Sequence, residues 1–176
     1  MAVPIVLQSI TEEQRPVIER LWQLYTHDLS EFRGMVPDDE GRFKQTRLAL
    51  HLGDPERCGY LIRSGPTGSG PSTGSGPSAP VGFVFVRGLT RPPRSIGEFF
   101  VVRGVRKQGV GHAAALEILR RYPGRWEIAF QEENPKAARF WRRVATDLVG
   151  SAWAEQPRPV PGKPDLPPDR WLLLET

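Results

Sequence analysis

The sequence predicts a mixed α/β domain, an α+β arrangement of helices packed on one mainly antiparallel sheet. Three observations carry this. Apolar patterns come in the order strand, helix, helix, paired strands, then strand–helix–strand–helix, then a closing strand. One of the strands, at 96–102, is almost continuously apolar and so is expected at the centre of the sheet. The 18 glycines and 18 prolines make about one residue in five, and the excess over ordinary usage is concentrated in two segments, which leaves the rest of the chain free to pack. With 176 residues the expectation is one domain spanning 1–176.

The elements follow in order. Ile5, Val6 and Leu7 form a short strand. Thr11 is placed to cap a helix, with Gln14 three residues on to close a capping box. Val17, Ile18, Leu21, Trp22, Leu24 and Tyr25 then recur at helical spacing, and the helix should end between His27 and Ser30. A polar loop at 34–41 leads to a weaker helix around 43–52. Strands at 59–63 and 81–87 flank the first Gly/Pro segment, 64–80. This 17-residue stretch contains only Gly, Ser, Pro, Thr and Ala, and repeats Thr-Gly-Ser-Gly-Pro-Ser in tandem from Thr67. It offers no large apolar surface to offset chain entropy, so a flexible insertion between two hairpin strands is expected.

After the central strand, 109–122 reads as a helix stopped by Pro123 and Gly124. A strand at 126–130 follows. Asn134 is a good N-cap and Pro135 suits the first helical position, so a helix should run from 136 to about 144. The second proline-rich segment, 156–168, reads as an extended connection to a closing strand at 171–174.

Charge and composition exclude several classes. One cysteine, Cys58, allows no internal disulfide and no cysteine-cluster metal site, and is expected to be a small buried filler. His27, His51 and His112 are too scattered to suggest a metal site. No apolar run spans a bilayer and the first residues lack a signal-peptide pattern, so a cytoplasmic protein without membrane contact is expected. The net charge is +4, but residues 103–143 hold ten Lys/Arg against four Glu, a local net of +6. Such a segment attracts an anion: a nucleic acid, a phosphorylated small molecule or an acidic surface. Nucleic acid is disfavoured: the Arg142-Arg143 pair could touch it, but an arrangement of aromatics for base stacking is not evident.

The most informative stretch joins the central strand to the next helix. Arg103, Arg106 and Lys107 precede Gly109 and Gly111, which open that helix. Glycines leave backbone N–H groups uncovered, the helix N-terminus adds partial positive charge, and the basic side chains add full charges, which together make a pyrophosphate cradle. It lacks the third glycine of a dinucleotide fingerprint and the Gly-Lys-Ser/Thr of a P-loop.

Arg106-x-x-Gly109-x-Gly111 after an apolar strand resembles the acyl-CoA-binding motif of the GNAT superfamily, the Gcn5-related N-acetyltransferases. The family's second signature, Asn-x-x-Ala-x-x-Phe-Tyr, is matched at Asn134, Ala137 and Phe140, with Trp141 in the last place. The resemblance implies a mixed sheet splayed between its fourth and fifth strands, helices on both faces, and acetyl-CoA as co-substrate in the notch. It implies that backbone groups of Val101 and Val102 pair with the pantetheine arm. Arg106, Lys107, Gln108, Gly109, Val110, Gly111 and His112 would hold the pyrophosphate, with Asn134 and Phe140 beside the pantetheine. The activity implied is direct transfer of an acetyl group to an amine of a small molecule or peptide; a non-catalytic acyl-CoA sensor is the alternative. No metal is implied, and a homodimer through the C-terminal strands is compatible.

Two positions depart from the family pattern. The family's frequent general-acid Tyr is replaced by Trp141, whose indole N–H is not a useful acid. The family's frequent base position falls near Ser95, and Glu98 is the nearby carboxylate, hence the candidate catalytic base. Strand alternation puts Glu98 on the opposite face from Ser95 unless a bulge intervenes. At the acceptor end the candidates are Tyr25, His27, Asp28 and Glu31, with Asp38, Asp39 and Glu40 as an acidic cluster that could draw a cationic amine.

Overall fold

A computed structural model describes residues 4–64, 78–160, 162 and 165–176. The tandem repeat at 67–78 falls outside these residues except for Ser78. The strands are β1 (Ile5–Ser9), β2 (Arg57–Ser64), β3 (Ala79–Arg87), β4 (Arg94–Val101), β5 (Arg125–Phe130), β6 (Trp153–Arg158) and β7 (Asp169–Glu175). The helices are α1 (Arg15–Arg33), α2 (Thr46–Leu52), α3 (Val110–Arg121) and α4 (Pro135–Val149). The sheet order is β1-β2-β3-β4-β5-β7-β6, with β4 at its centre as its apolar run predicts. Every neighbouring pair is antiparallel except β4 and β5.

That parallel pair is short. Only Arg94 with Trp126 and Ser95 with Glu127 are in register, after which β4 and β5 diverge. This is the splay between the fourth and fifth strands, and it opens the C-terminal half of β4 on one side.

Side chains alternate between two cores. Val84, Val86, Ile62 and Ile128 pack under α3 and α4, against Val110, Ala114, Ile118, Trp141 and Val144. Phe83, Phe85, Leu61 and Phe100 pack under α1 and α2, against Ile18, Leu21, Trp22 and Leu48. A sheet covered on both faces has no polar face, which is why β3 and β4 read as nearly continuous apolar runs.

Several boundaries differ from the sequence reading. Gln14 closes the capping box, its side chain accepting from the Thr11 N–H at 3.1 Å, but α1 then runs to Arg33. Gly34 stops it, in the left-handed region at φ +59 with its N–H on Ser30 C=O. The apolar stripe ends a turn or two earlier because the last turns carry polar work. Helix α4 continues past Val144 to Val149, its core side extended by Ala145. Residues 156–158, expected as an extended connection, instead belong to β6; it lies at the sheet edge, where Pro157 breaks no interior ladder. At the ends of the expected insertion, Ser64 closes β2 and Ala79 and Pro80 begin β3, and residues 65–77 between them lie outside the described residues.

Beyond β5, α4 is tied to the last strands by charge. Arg142 Nε reaches Glu155 at 2.8 Å and Arg170 Nε reaches it at 2.7 Å. Hydrogen bonding from Arg142 first, opposed by partial burial and aided by Arg170, brings the Glu155 carboxyl down to about 2 from the ordinary 4.5. A carboxyl depressed in the folded state contributes stability above its unfolded pKa and loses it as pH falls through the folded one. Wild-type stability should therefore decline between pH 4.5 and about 2 more steeply than that of Glu155→Gln. Urea unfolding at a series of acid pH values measures this; parallel slopes would show that Glu155 contributes no linkage.

Candidate functional site

The notch beside β4 is built by the ladder itself. Val102 donates its N–H to Val81 C=O at 2.8 Å, so Phe100 and Val102 turn their backbone groups toward β3. By alternation Phe99 and Val101 turn theirs toward the gap left by β5. Of the expected pair, Val101 faces the gap and Val102 has its N–H inside the sheet. The Val101 C=O accepts from Arg106 Nε at 2.7 Å.

At the end of the notch α3 begins. Gly109 precedes it with φ +85, a conformation that a side chain would strain. The first bond of the helix runs from Ala113 N–H to Gly109 C=O at 2.9 Å, so the N–H groups of Val110, Gly111 and His112 have no partner within the helix. Three such donors at a helix N-terminus suit a phosphate. A Cβ on Gly111 would lie 3.4 Å from Val101 Cγ2 and 3.7 Å from Phe99 and Phe140, ordinary van der Waals contact, so an alanine would fit there and only a larger side chain would crowd β4 and α4.

The side chains of the loop are less open than the sequence implies. Arg106 binds Asp28 and Val101 C=O and lies over the Phe100 ring at 5.7 Å, so its guanidinium is already engaged by the chain itself. Gln108 Nε2 donates back to Gly104 C=O at 3.1 Å. Lys107 is exposed, with positive φ of 66. The His112 ring bonds Asp147 at 2.8 Å, tying α3 to α4, so only its backbone is offered to an anion. Asn134 caps α4, its Oδ1 accepting from Ala137 N–H at 3.1 Å. Phe140 packs on Phe99 and on Trp141, with centroids at 5.5 and 5.0 Å. Trp141 itself is buried in the core under α4.

On the opposite face the bulge exists. Phe85 pairs with Glu98 and Val86 with Ile96, which leaves Gly97 as the extra residue. Glu98 thereby shares a face with Phe100 and Ser95, the face that α1 and α2 cover. A Cβ on Gly97 would meet His51 Cε1 at 2.7 Å, so only glycine admits α2 this closely. The Glu98 side chain has no exposed surface, and it is ion-paired with the exposed Arg47 and the buried His51. His51 also stacks on Phe85, with centroids 4.4 Å apart. Arg87 completes the charge cluster. Burial depresses its basicity, and the negative charge of Glu98 works the other way. Tyr25 lies in the same region, and burial first, then the Glu98 charge, raises its phenol above the ordinary range. Sequence reasoning named Glu98 and Tyr25 but gave Arg47 and His51 no role. Their i, i+4 spacing puts them on one helix face, though nothing local ties that face to Glu98.

The other acceptor-end candidates divide. Asp28 joins the notch loop, accepting from Arg103 Nε at 2.8 Å and from Arg106. His27 is exposed, edge-on to Phe43 at 6.4 Å. Asp38 closes its own turn, accepting from the Glu40 and Arg42 N–H groups at 3.1 and 2.9 Å, and Glu40 pairs with Arg42. That accounts for much of the acidic cluster without a ligand. Cys58 is partly buried, with Sγ 3.4 Å from Tyr122 Oη. Among the described residues no group of three or more His, Cys, Asp or Glu could hold a metal ion, and no helix is long and apolar enough to cross a membrane.

No family model matches the sequence, and no curated protein does. Solved structures do match in fold. A spermidine N-acetyltransferase from Vibrio cholerae, solved with CoA and spermine, superposes with a TM-score of 0.66 at 10% identity, covering 97% of this chain and 95% of that one. A GNAT-family acetyltransferase from Staphylococcus aureus gives 0.60 at 12% identity over 98% and 99%. The ribosomal-protein-S18-alanine N-acetyltransferase from Escherichia coli gives 0.56 at 11% identity over 98% and 94%. The fold of this chain is the GNAT fold.

Proposed function

We propose that this chain transfers an acetyl group from acetyl-CoA directly to the amine of a small molecule or peptide. The observation that carries this is the splayed edge of β4 meeting the unpaired N–H groups of Val110, Gly111 and His112. An extended arm with two amides fits the edge at Phe99 and Val101, where Arg106 must release the Val101 C=O for that group to pair, and a pyrophosphate fits the helix end. Similar folds named as acetyltransferases of spermidine and of a protein alanine support an amine as acceptor. Within the ternary complex the amine nitrogen attacks the acetyl carbonyl, the C–S bond breaks, and CoA leaves as the thiol once a proton reaches it.

Holding the two substrates in one notch supplies much of the acceleration. Val110, Gly111 and His112 bind the phosphates through their backbone, while Phe140 walls the pantetheine beside Phe99. Glu98 is the proposed acceptor of the ammonium proton, and Arg47 must swing aside before a substrate can reach it, because the carboxylate is wholly covered. A CoA-binding sensor without turnover is the second reading, favoured by that cover and by the buried Trp141.

Calorimetry with acetyl-CoA tests the binding, beside Gly109→Trp and Gly111→Trp variants whose folding is checked by thermal unfolding. Saturable binding that both substitutions abolish is expected; no binding to wild type would end the proposal. Thiol release across a panel of amines separates the two readings, since a sensor binds and releases nothing.

A further inference from the structure

The β4–α3 loop spends its cations on a carboxylate from a distant helix. Arg103 presents both Nε and Nη2 to Asp28 Oδ1, each at 2.8 Å, and Arg106 Nη2 pairs with Oδ2. Asp28 belongs to the last turns of α1, 75 and 78 residues away in sequence. Its side chain is 19% exposed, while those of Arg103 and Arg106 are 63% and 41% exposed. The carboxylate is therefore recessed and the two guanidinium groups stand between it and solvent, where a dissolved anion can reach them. His27 Nδ1, 3.8 Å from Asp28 Oδ1, is the further titratable neighbour.

The same loop leads into the three unpaired N–H groups of α3. An anion bound there would lie on a loop whose three positive charges, on Arg103, Arg106 and Lys107, are offset by the one negative charge of Asp28. Two oxygens of one carboxylate, each taken by a separate arginine, reproduce the acceptor pattern that a phosphate offers.

On these grounds we infer that Asp28 is an internal stand-in for a cofactor phosphate: it holds Arg103 and Arg106 in the free chain and is displaced from them when the nucleotide binds. The inference rests on the acetyl-CoA reading of the notch and adds to it a competition within the chain. Its consequence reaches the other face of the sheet. The turns of α1 that carry Asp28 also carry Tyr25, beside the Glu98 cluster, so phosphate binding loosens the acceptor side from the cofactor loop.

Calorimetry with CoA on wild type and Asp28→Asn is the test. The variant keeps the shape and removes the competing charge, so CoA should bind about three- to tenfold tighter, in line with the net worth of a typical hydrogen bond in a solvent-exposed site. The gain should shrink in high salt. Equal or weaker binding by Asp28→Asn, with wild type binding CoA, overturns the inference and leaves the site intact. Failure of wild type to bind CoA overturns both. Should the variant fail to fold, the carboxyl carbon resonance of Asp28 in wild type decides. It must move on saturation with CoA, and an unmoved resonance sinks the idea.

Discussion

Glu98→Gln is expected to cost about 3 kcal/mol of stability or more, whereas Arg47→Ala should cost under about 1 kcal/mol. The two substitutions break the same ion pair, so the difference lies in what each leaves behind. Without Arg47, Glu98 keeps His51 and the pull of Arg87. Arg47 itself is 59% exposed and returns to water at little cost when its partner is lost. Without Glu98, the 3% exposed His51 loses its close carboxylate partner and keeps only the more distant Asp54, and half-buried Arg87 loses the one charge that favours it. An unpaired buried charge is expensive because neither water nor a counter-ion can reach it. Urea unfolding of both variants and of the double variant measures the asymmetry. Equal small losses would mean that Glu98 is not the anchor of this cluster. The result also bears on chemistry: if Arg47→Ala leaves the fold untouched, the cover over Glu98 can be removed, and acetyl transfer through Glu98 should then persist or rise.

This cluster shows where sequence reading stops. The turn into α3 and the cap of α4 were legible because each is local: Gly109 sets a backbone angle, and Asn134 reaches an N–H three residues on. The central strand was legible because burial on both faces leaves an unbroken apolar run. The face of Glu98 was not, since it depends on the bulge at Gly97, a property of the pairing between β3 and β4. The Asp28 clamp and the partnership of Glu98 with His51 join segments some 47 to 78 residues apart, where no periodicity connects them. Strand β6 was missed for another reason. Proline argues against a strand, and that rule relaxes at a sheet edge, which only the finished topology identifies.

Phe83→Ala should cost about 3–5 kcal/mol, and Phe99→Ala less than half of that. Both phenylalanines lie on the central strands, and they face opposite sides of the sheet. Phe83 is fully buried, stacked with Trp22 at 5.8 Å and met by Tyr25, Phe85 and Phe100 at 5.6, 5.5 and 5.7 Å. Truncation there opens a cavity between aromatic rings that cannot close on it without moving α1. Phe99 is only partly buried, at the lip of the notch, where it touches Phe140 and Trp141. Water or a bound pantetheine can fill the space it leaves, so its loss should fall on acetyl-CoA affinity more than on stability. Urea unfolding with calorimetry on each variant separates the two effects. Similar stability losses would mean that the notch is packed as tightly as the core, and the splay of β4 from β5 would then be a closed seam with no room for a ligand.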